Sequence, residues 1–128
     1  MARILIIDDD EDFISSIRAL LQSEGHEVVE ADSGKMGLEK LVDSKPDVIL
    51  LDIMMENTSE GYGVNQAIRF REAFADYRAV PIIMVSSIES SPDELYAFAG
   101  ELGMIMPDCY ITKPIDIPKF LEVIRKYT

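Results

Sequence analysis

The residues of this chain that are best suited to chemistry are acidic side chains that follow apolar runs. The segment ILIIDDDED, residues 4–12, passes from four aliphatic residues straight into five acids. A second aliphatic run, residues 48–51, also ends in an acid, Asp52. Because like charges held together disfavour a compact state, such a cluster indicates that a cation binds there. Carboxylates in segments without His or Cys suit a hard divalent cation such as Mg²⁺ or Mn²⁺.

Two further polar residues follow apolar runs later in the chain. Ser86 comes after PIIMV, and Lys113 comes after DCYIT. A cation, an ammonium group and a hydroxyl around a carboxylate would orient and neutralise a phosphoryl group, and phosphoryl transfer is catalysed mainly in this way. An aspartate can itself be the nucleophile and form an acyl phosphate. The residue set therefore predicts metal-dependent transfer of a phosphoryl group to a carboxylate.

Alternating apolar runs and helical patterns predict the elements that position these residues. Five apolar runs predict strands, at residues 4–7, 26–31, 48–51, 82–85 and 109–112. Apolar residues at helical spacing predict five helices, which begin near residues 13, 38, 64, 91 and 116. The third helix is predicted from Val64, Ile68 and Phe74, and Asp12 is a candidate cap of the first. The order predicts an α/β fold, a doubly wound five-stranded parallel sheet with helices on both faces.

The predicted sheet gathers the polar residues at one end. Asp8, Asp9 and Asp10 follow the first strand, Asp52 the third, Ser86 the fourth and Lys113 the fifth. In open parallel sheets, ligands bind beyond the carboxyl ends of the strands. If the first and third strands are neighbours, Asp9 and Asp52 converge on one cleft.

Composition and charge limit the classes of function. The chain has 128 residues, a length that suits one domain, and a net charge of −12. Direct binding of nucleic acid is not expected, because it relies on Lys and Arg. The apolar run at the start is too short for a signal peptide or a membrane span. A single cysteine excludes an intramolecular disulfide. We therefore expect a cytoplasmic protein without membrane contact.

Four segments taken together resemble a known family. ILIIDDDE, VILLDIMM, PIIMVSS and DCYITKP are similar to the signature segments of response regulator receiver domains of two-component signalling. The resemblance covers essentially the whole chain, residues 1–128, in the family's order and spacing. It implies a flavodoxin-like fold with strand order 2-1-3-4-5. It also implies Mg²⁺-dependent phosphorylation by a sensor histidine kinase or a phosphotransfer protein, and an unspecified downstream protein target.

The resemblance implies a role for each residue of the site. Asp52 corresponds to the phosphoacceptor, and Lys113 to the lysine that binds the phosphoryl group. Asp9 corresponds to a direct metal ligand, as does Asp52 itself, and Asp8 to a ligand that acts through water. The backbone carbonyl of Met54 would be a third protein ligand of the metal.

The resemblance also implies how the signal is transmitted and how it ends. Ser86 and Tyr110 correspond to switch residues, which would change the surface of the fourth helix, fifth strand and fifth helix after phosphorylation. Met54 and Ile88 occupy positions that flank the approach of the hydrolytic water, and both are apolar. Slow self-dephosphorylation is therefore expected. Glu56 stands where the family usually has proline, in a loop that is slightly longer than usual.

Four alternative functions compete with this one. An aspartyl phosphohydrolase typically has a second Asp two residues after the nucleophile, where this chain has Met54. A flavodoxin-like cofactor protein has a Ser- and Thr-rich first loop, which is acidic here. A receiver-like protein that is not phosphorylated fits the intact residue set poorly. The fourth alternative, a phosphorelay intermediate, would use the same site.

Overall fold

The fold is built on a five-stranded parallel sheet. The computed structural model describes residues 2–52, 63–64, 67–68, 70–86, 109–112 and 115–128. The strands are β1 (Arg3–Ile7), β2 (Glu27–Ala31), β3 (Val48–Asp52), β4 (Ile82–Ser86) and β5 (Cys109–Thr112). They lie in the order β2-β1-β3-β4-β5, and each pair of neighbours is parallel. The predicted fold class and strand order are therefore confirmed.

Side-chain caps determine where the helices begin. Three α-helices are described over their full length: α1 (Glu11–Ser23), α2 (Gly34–Ser44) and a last helix (Ile117–Tyr127). Their N-caps are Asp10, Ser33 and Asp116, and each cap side chain accepts a hydrogen bond from an N–H of the first turn. Asp and Ser are favoured there because their oxygens satisfy N–H groups that have no partner within the helix. Asp10 caps α1, so the assignment of Asp12 as the cap was wrong.

Each face of the sheet carries its own apolar core, since successive strand residues point to opposite faces. In β1, Ile4 and Ile6 belong to a cluster with residues of α1 and the last helix. Leu5 and Ile7 belong to a second cluster, with Leu41 of α2. All four β1 residues are at most 1% exposed. Burial on both faces explains why the strand is continuously apolar, and it confirms the doubly wound arrangement.

The third predicted helix ends earlier than expected. Val64 and Ile68 are helical and buried, as predicted. The backbone of Arg71 is then extended, and Glu72–Tyr77 form a 3₁₀ helix. Phe74 lies in this segment with φ −113° and ψ 18°, so its assignment to the third helix was wrong. It stands six positions after Ile68, a spacing that does not keep two residues on one helical face.

Two other predictions concern helices. The predicted fourth helix, which begins near residue 91, lies outside the described residues. Of the helices that the structure describes, none combines the length and the apolar character needed to cross a membrane.

Gly37 allows α2 to lie close to β1. A Cβ added to Gly37 would lie 2.5 Å from Cδ1 and 2.8 Å from Cγ1 of Ile7. We expect Gly37→Ala to lower the free energy of unfolding by about 1 kcal/mol. Overpacking a core costs roughly 1–3 kcal/mol, whereas the better helix preference of Ala returns only about 0.5–1 kcal/mol. Urea denaturation of the two proteins measures the difference. Because Ile7 directly precedes Asp8, the change would also disturb the acidic end of β1.

Gly63→Ala is the matched control for this prediction. Gly63 is helical and exposed, and a Cβ there would meet nothing within 4 Å. This variant should be more stable than the wild type by about 0.5–1 kcal/mol, from helix preference alone. If Gly37→Ala raised the free energy of unfolding as much as Gly63→Ala does, that result would contradict the tight packing of α2 against Ile7.

Candidate functional site

Asp8 continues β1 by one residue and is held at both its backbone and its side chain. Its N–H donates to the carbonyl oxygen of Ala31 at 3.0 Å, which extends the pairing of β1 with β2. Its Oδ1 accepts a hydrogen bond from the N–H of Asp10 at 2.9 Å. The residue is 1% exposed. Its carboxylate is therefore buried and oriented by the start of α1.

Asp52 is the last residue of β3 and lies beside Asp8. The register of β1 and β3 pairs Ile7 with Leu51, so the next residues of the two strands, Asp8 and Asp52, are neighbours. Asp52 is 3% exposed. Burying ionised carboxylates is costly unless they are paired or bind a metal. Two of them on adjacent strands also repel each other, which a bound cation would offset.

A third carboxylate completes the cluster. Asp8, Asp9 and Asp52 each offer one oxygen, and these oxygens lie within 4.8 Å of one another. Asp9 is exposed, so the cluster is open to solvent on its side. Mg²⁺ prefers oxygen ligands, keeps several waters and is usually held by one or two carboxylates. Mn²⁺ takes the same kind of ligand. The donor set therefore fits a hard divalent cation, and the predicted convergence of Asp9 and Asp52 is observed.

The other predicted site residues are described only in part. Met54 and Lys113 lie outside the described residues, and so do the side chains of Ser86 and Tyr110. The backbone is informative for two of the strands. Asp52 pairs with Val85 of β4, which places the following residue, Ser86, at the same end of the sheet. Ser86 in turn pairs with the last residue of β5. β4 and β5 therefore end level, one residue beyond the end of β3, and Lys113 directly follows β5 in the sequence.

Asp10 takes part in the site in a way that its sequence context did not predict. The sequence places it after the first strand, among acids that favour the start of a helix. In the structure it also donates its N–H to Asp8. An Asp side chain that accepts from the N–H two residues later is a common turn. Because the donor is a backbone N–H, the only sequence signal for this bond is Asp8 itself, and that signal was too weak to predict the turn.

Comparison with known proteins identifies the family. The family model described as "Response regulator receiver domain" matches residues 4–125. The chain is a response regulator receiver domain. Receiver domains are the phosphoacceptor domains of two-component signalling. The match does not favour the alternatives of an aspartyl phosphohydrolase or a phosphorelay intermediate.

Individual relatives support this assignment along the whole receiver domain. The chain is 34% identical over 125 residues to Protein PilH of Pseudomonas aeruginosa, and the alignment covers 98% of this chain and 96% of PilH. It is 30% identical over 124 residues to the polar-differentiation response regulator DivK of Brucella abortus, covering 97% and 94% of the two chains. The structure of the chemotaxis response regulator CheY4 of Vibrio cholerae superposes with a TM-score of 0.82 at 26% identity, covering 100% and 99%.

Proposed function

We propose that residues 1–128 form one receiver domain that accepts a phosphoryl group on Asp52, with Mg²⁺ or Mn²⁺ held by the acidic cluster. The phosphoryl donor would be a sensor histidine kinase or a phosphotransfer protein. The observation that carries this proposal is the approach of the Asp8, Asp9 and Asp52 oxygens to within 4.8 Å of one another. This cluster of oxygens lies at the carboxyl end of the strands, where ligands bind in this type of sheet.

The position of Asp52 in the sheet supports its role as the acceptor. Asp8 is engaged by the N–H of Asp10, and Asp9 is exposed on the connection to α1. Asp52 lies between them and β4, on the central strand of the five. It therefore has the two other carboxylates on one side and the strand ends that lead to Ser86 and Lys113 on the other.

This arrangement divides the work of phosphoryl transfer among the residues. One oxygen of Asp52 would attack the phosphorus and displace the leaving group of the donor, which forms an acyl phosphate. Asp8 and Asp9 would hold the divalent cation, which when bound supplies positive charge to offset that of the phosphoryl oxygens. Lys113 and Ser86 would bind the same oxygens from the opposite side. Asp52 would react as a carboxylate, so the transfer needs no general base.

The consequence of phosphorylation is proposed from the family. Ser86 and Tyr110 would pass the change to the surface of the fourth predicted helix, β5 and the last helix, and a cytoplasmic protein target would bind that surface. The relatives are named for different processes, polar differentiation for DivK and chemotaxis for CheY4.

Titration with Mg²⁺ in a calorimeter tests the metal site. We expect the wild type to bind one Mg²⁺, and Asp9→Asn to bind it at least about tenfold more weakly, because even changes around a metal ligand typically cost 10- to 100-fold. Asp32→Asn is the control. Asp32 directly follows β2, as Asp8 follows β1, and it is exposed and outside the cluster. Asp32→Asn changes the net charge by the same amount as Asp9→Asn and should leave the binding of Mg²⁺ unaltered. Absence of binding by the wild type would refute the proposed site.

A further inference from the structure

Two consecutive turns connect the acidic cluster to the start of α1. In the first, Oδ1 of Asp8 accepts from the N–H of Asp10 at 2.9 Å. In the second, Oδ1 of Asp10 accepts from the N–H of Asp12 at 3.1 Å and of Phe13 at 3.2 Å. Asp10 is thus held on both sides, through its amide by the cluster and through its carboxylate by the first turn of α1. Any movement of the helix start would move the donor that orients Asp8.

We propose that Asp10 is a positioning residue for the metal site and acts through Asp8. Its side chain caps α1, the cap fixes its amide, and the amide holds the Asp8 carboxylate towards Asp9 and Asp52. This role rests on the proposed function of the cluster. Asp10 is not itself part of the group of carboxylates that could hold a metal ion in the described chain.

The physical basis of this role is the order that the cap imposes before the metal binds. Without a cap, the first N–H groups of a helix lose their partner and the first turn frays. The Asp10 amide would then sample several directions, and Asp8 would lose one of the bonds that orient it. If the Asp8 side chain has to be ordered when Mg²⁺ binds, it loses conformational entropy at that step. This loss lowers the affinity for Mg²⁺. Removing the cap should therefore weaken the binding of Mg²⁺ even though every metal ligand is still present.

Asp10 could instead act through its negative charge alone, and substitution separates these two effects. Asn is as good an N-cap as Asp but carries no charge, whereas Ala neither caps nor carries charge. The charge of Asp10 is exposed. The N–H of Asp10 reaches Asp8 at 2.9 Å, so this charge lies within the screening length, which is roughly 8 Å at about 0.15 M salt. Because an exposed charge acts through water and is partly screened, its loss should weaken Mg²⁺ binding by no more than a few-fold. Under these conditions the positioning role predicts near wild-type binding by Asp10→Asn and weak binding by Asp10→Ala.

The same protein offers two matched controls for the loss of a cap. Ser33 caps α2 by accepting from the N–H of Met36 at 3.2 Å. Asp116 caps the last helix by accepting from the N–H of Lys119 at 3.4 Å. Neither cap donates to the acidic cluster in the bonds that the structure describes. Ser33→Ala and Asp116→Ala therefore destabilise a helix end by the same mechanism without disturbing Asp8.

Calorimetric titration of the five proteins with Mg²⁺ in about 0.15 M salt tests the proposal. We expect Asp10→Ala to bind about tenfold more weakly than the wild type, which is the size typical of a residue that orients a metal ligand. Asp10→Asn, Ser33→Ala and Asp116→Ala should bind within a few-fold of the wild type. If circular dichroism shows that Asp10→Ala is unfolded, Asp10→Gly replaces it. Gly also lacks the accepting oxygen but is tolerated at this position.

Three results would overturn the role of Asp10. They are an unchanged affinity in Asp10→Ala, an equal loss in Asp10→Asn, and an equal loss in the two control variants. The second would assign the effect to charge, and the third to general helix stability. A wild type that does not bind Mg²⁺ would instead overturn the metal site itself, so the failure of this proposal can be told from the failure of the proposed function.

Discussion

Asp52→Asn is expected to abolish the phosphorylation of this receiver domain by acetyl phosphate in the presence of Mg²⁺. An amide is not a nucleophile that can form an acyl phosphate, so the covalent route is lost altogether. The rate of phosphoryl incorporation should fall by more than about 1,000-fold, as is usual when a nucleophile is removed. Intact-mass spectrometry over a time course measures the incorporation directly. Excess chelator should have a similar effect on the wild type, because it removes the cation.

Asp43→Asn is the control for this prediction. Asp43 is an exposed residue of α2, and the same chemical change there should leave the rate unaltered. Thermal unfolding in chelator checks that Asp52→Asn is folded. We expect it to be at least as stable as the wild type, because the change removes a buried charge next to Asp8. Incorporation that persists in Asp52→Asn would place the acceptor at another carboxylate, and Asp9 would be examined next.

The strands were the most predictable part of this fold. β1 and β3 are buried on both faces, so their sequences are continuous apolar runs that end where the chain becomes acidic. The observed bounds differ from the predictions by one residue, Arg3 in β1 and Asp52 in β3. Hydrogen bonding within a sheet involves the backbone, so a charged residue can belong to a strand whose apolar run has already ended.

The helices were less predictable where apolar spacing departs from the helical period. Val64 and Ile68 are one turn apart and lie on one buried helical face. Phe74 was predicted to belong to that helix, yet it packs against the same core from a 3₁₀ helix. Burial alone therefore could not distinguish the two kinds of helix, whereas the irregular spacing could have done so.

The closeness of Asp9 and Asp52 could be predicted from residue type and strand order. The turn in which Asp8 accepts from the N–H of Asp10 could not. Asp10, Glu11 and Asp12 are all favourable at a helix start, because acids there interact well with the helix dipole. Which of them caps α1 depends on the backbone. Asp10 has φ −93° and ψ 101°, an extended conformation, whereas Asp12 is already helical. The local sequence does not contain that difference.

The lifetime of the phosphorylated state should be long, because the two positions that flank the attacking water in this family are apolar in this chain. They are Met54 and Ile88, which lie outside the described residues. Neither side chain can orient a water through a useful hydrogen bond. We expect the wild type to lose its phosphoryl group over minutes or longer, and Met54→Asn combined with Ile88→Glu to lose it roughly 10- to 100-fold faster. That gain is at or below the low end of general acid–base effects. Intact-mass spectrometry after removal of acetyl phosphate measures both rates.

Met54→Leu combined with Ile88→Val is the matched control, because it changes the same two positions and keeps both apolar. Its phosphoryl group should be lost at the wild-type rate, since an altered shape alone does not supply a hydrogen bond to the water. Hydrolysis of the acyl phosphate needs a water in line with the phosphorus, so a polar side chain at these positions acts by placing that water. Loss of the phosphoryl group from the wild type within seconds, or equal rates in the polar and the apolar double variants, would show that these positions do not control hydrolysis. The slightly longer loop at Glu56 would then be the next segment to vary.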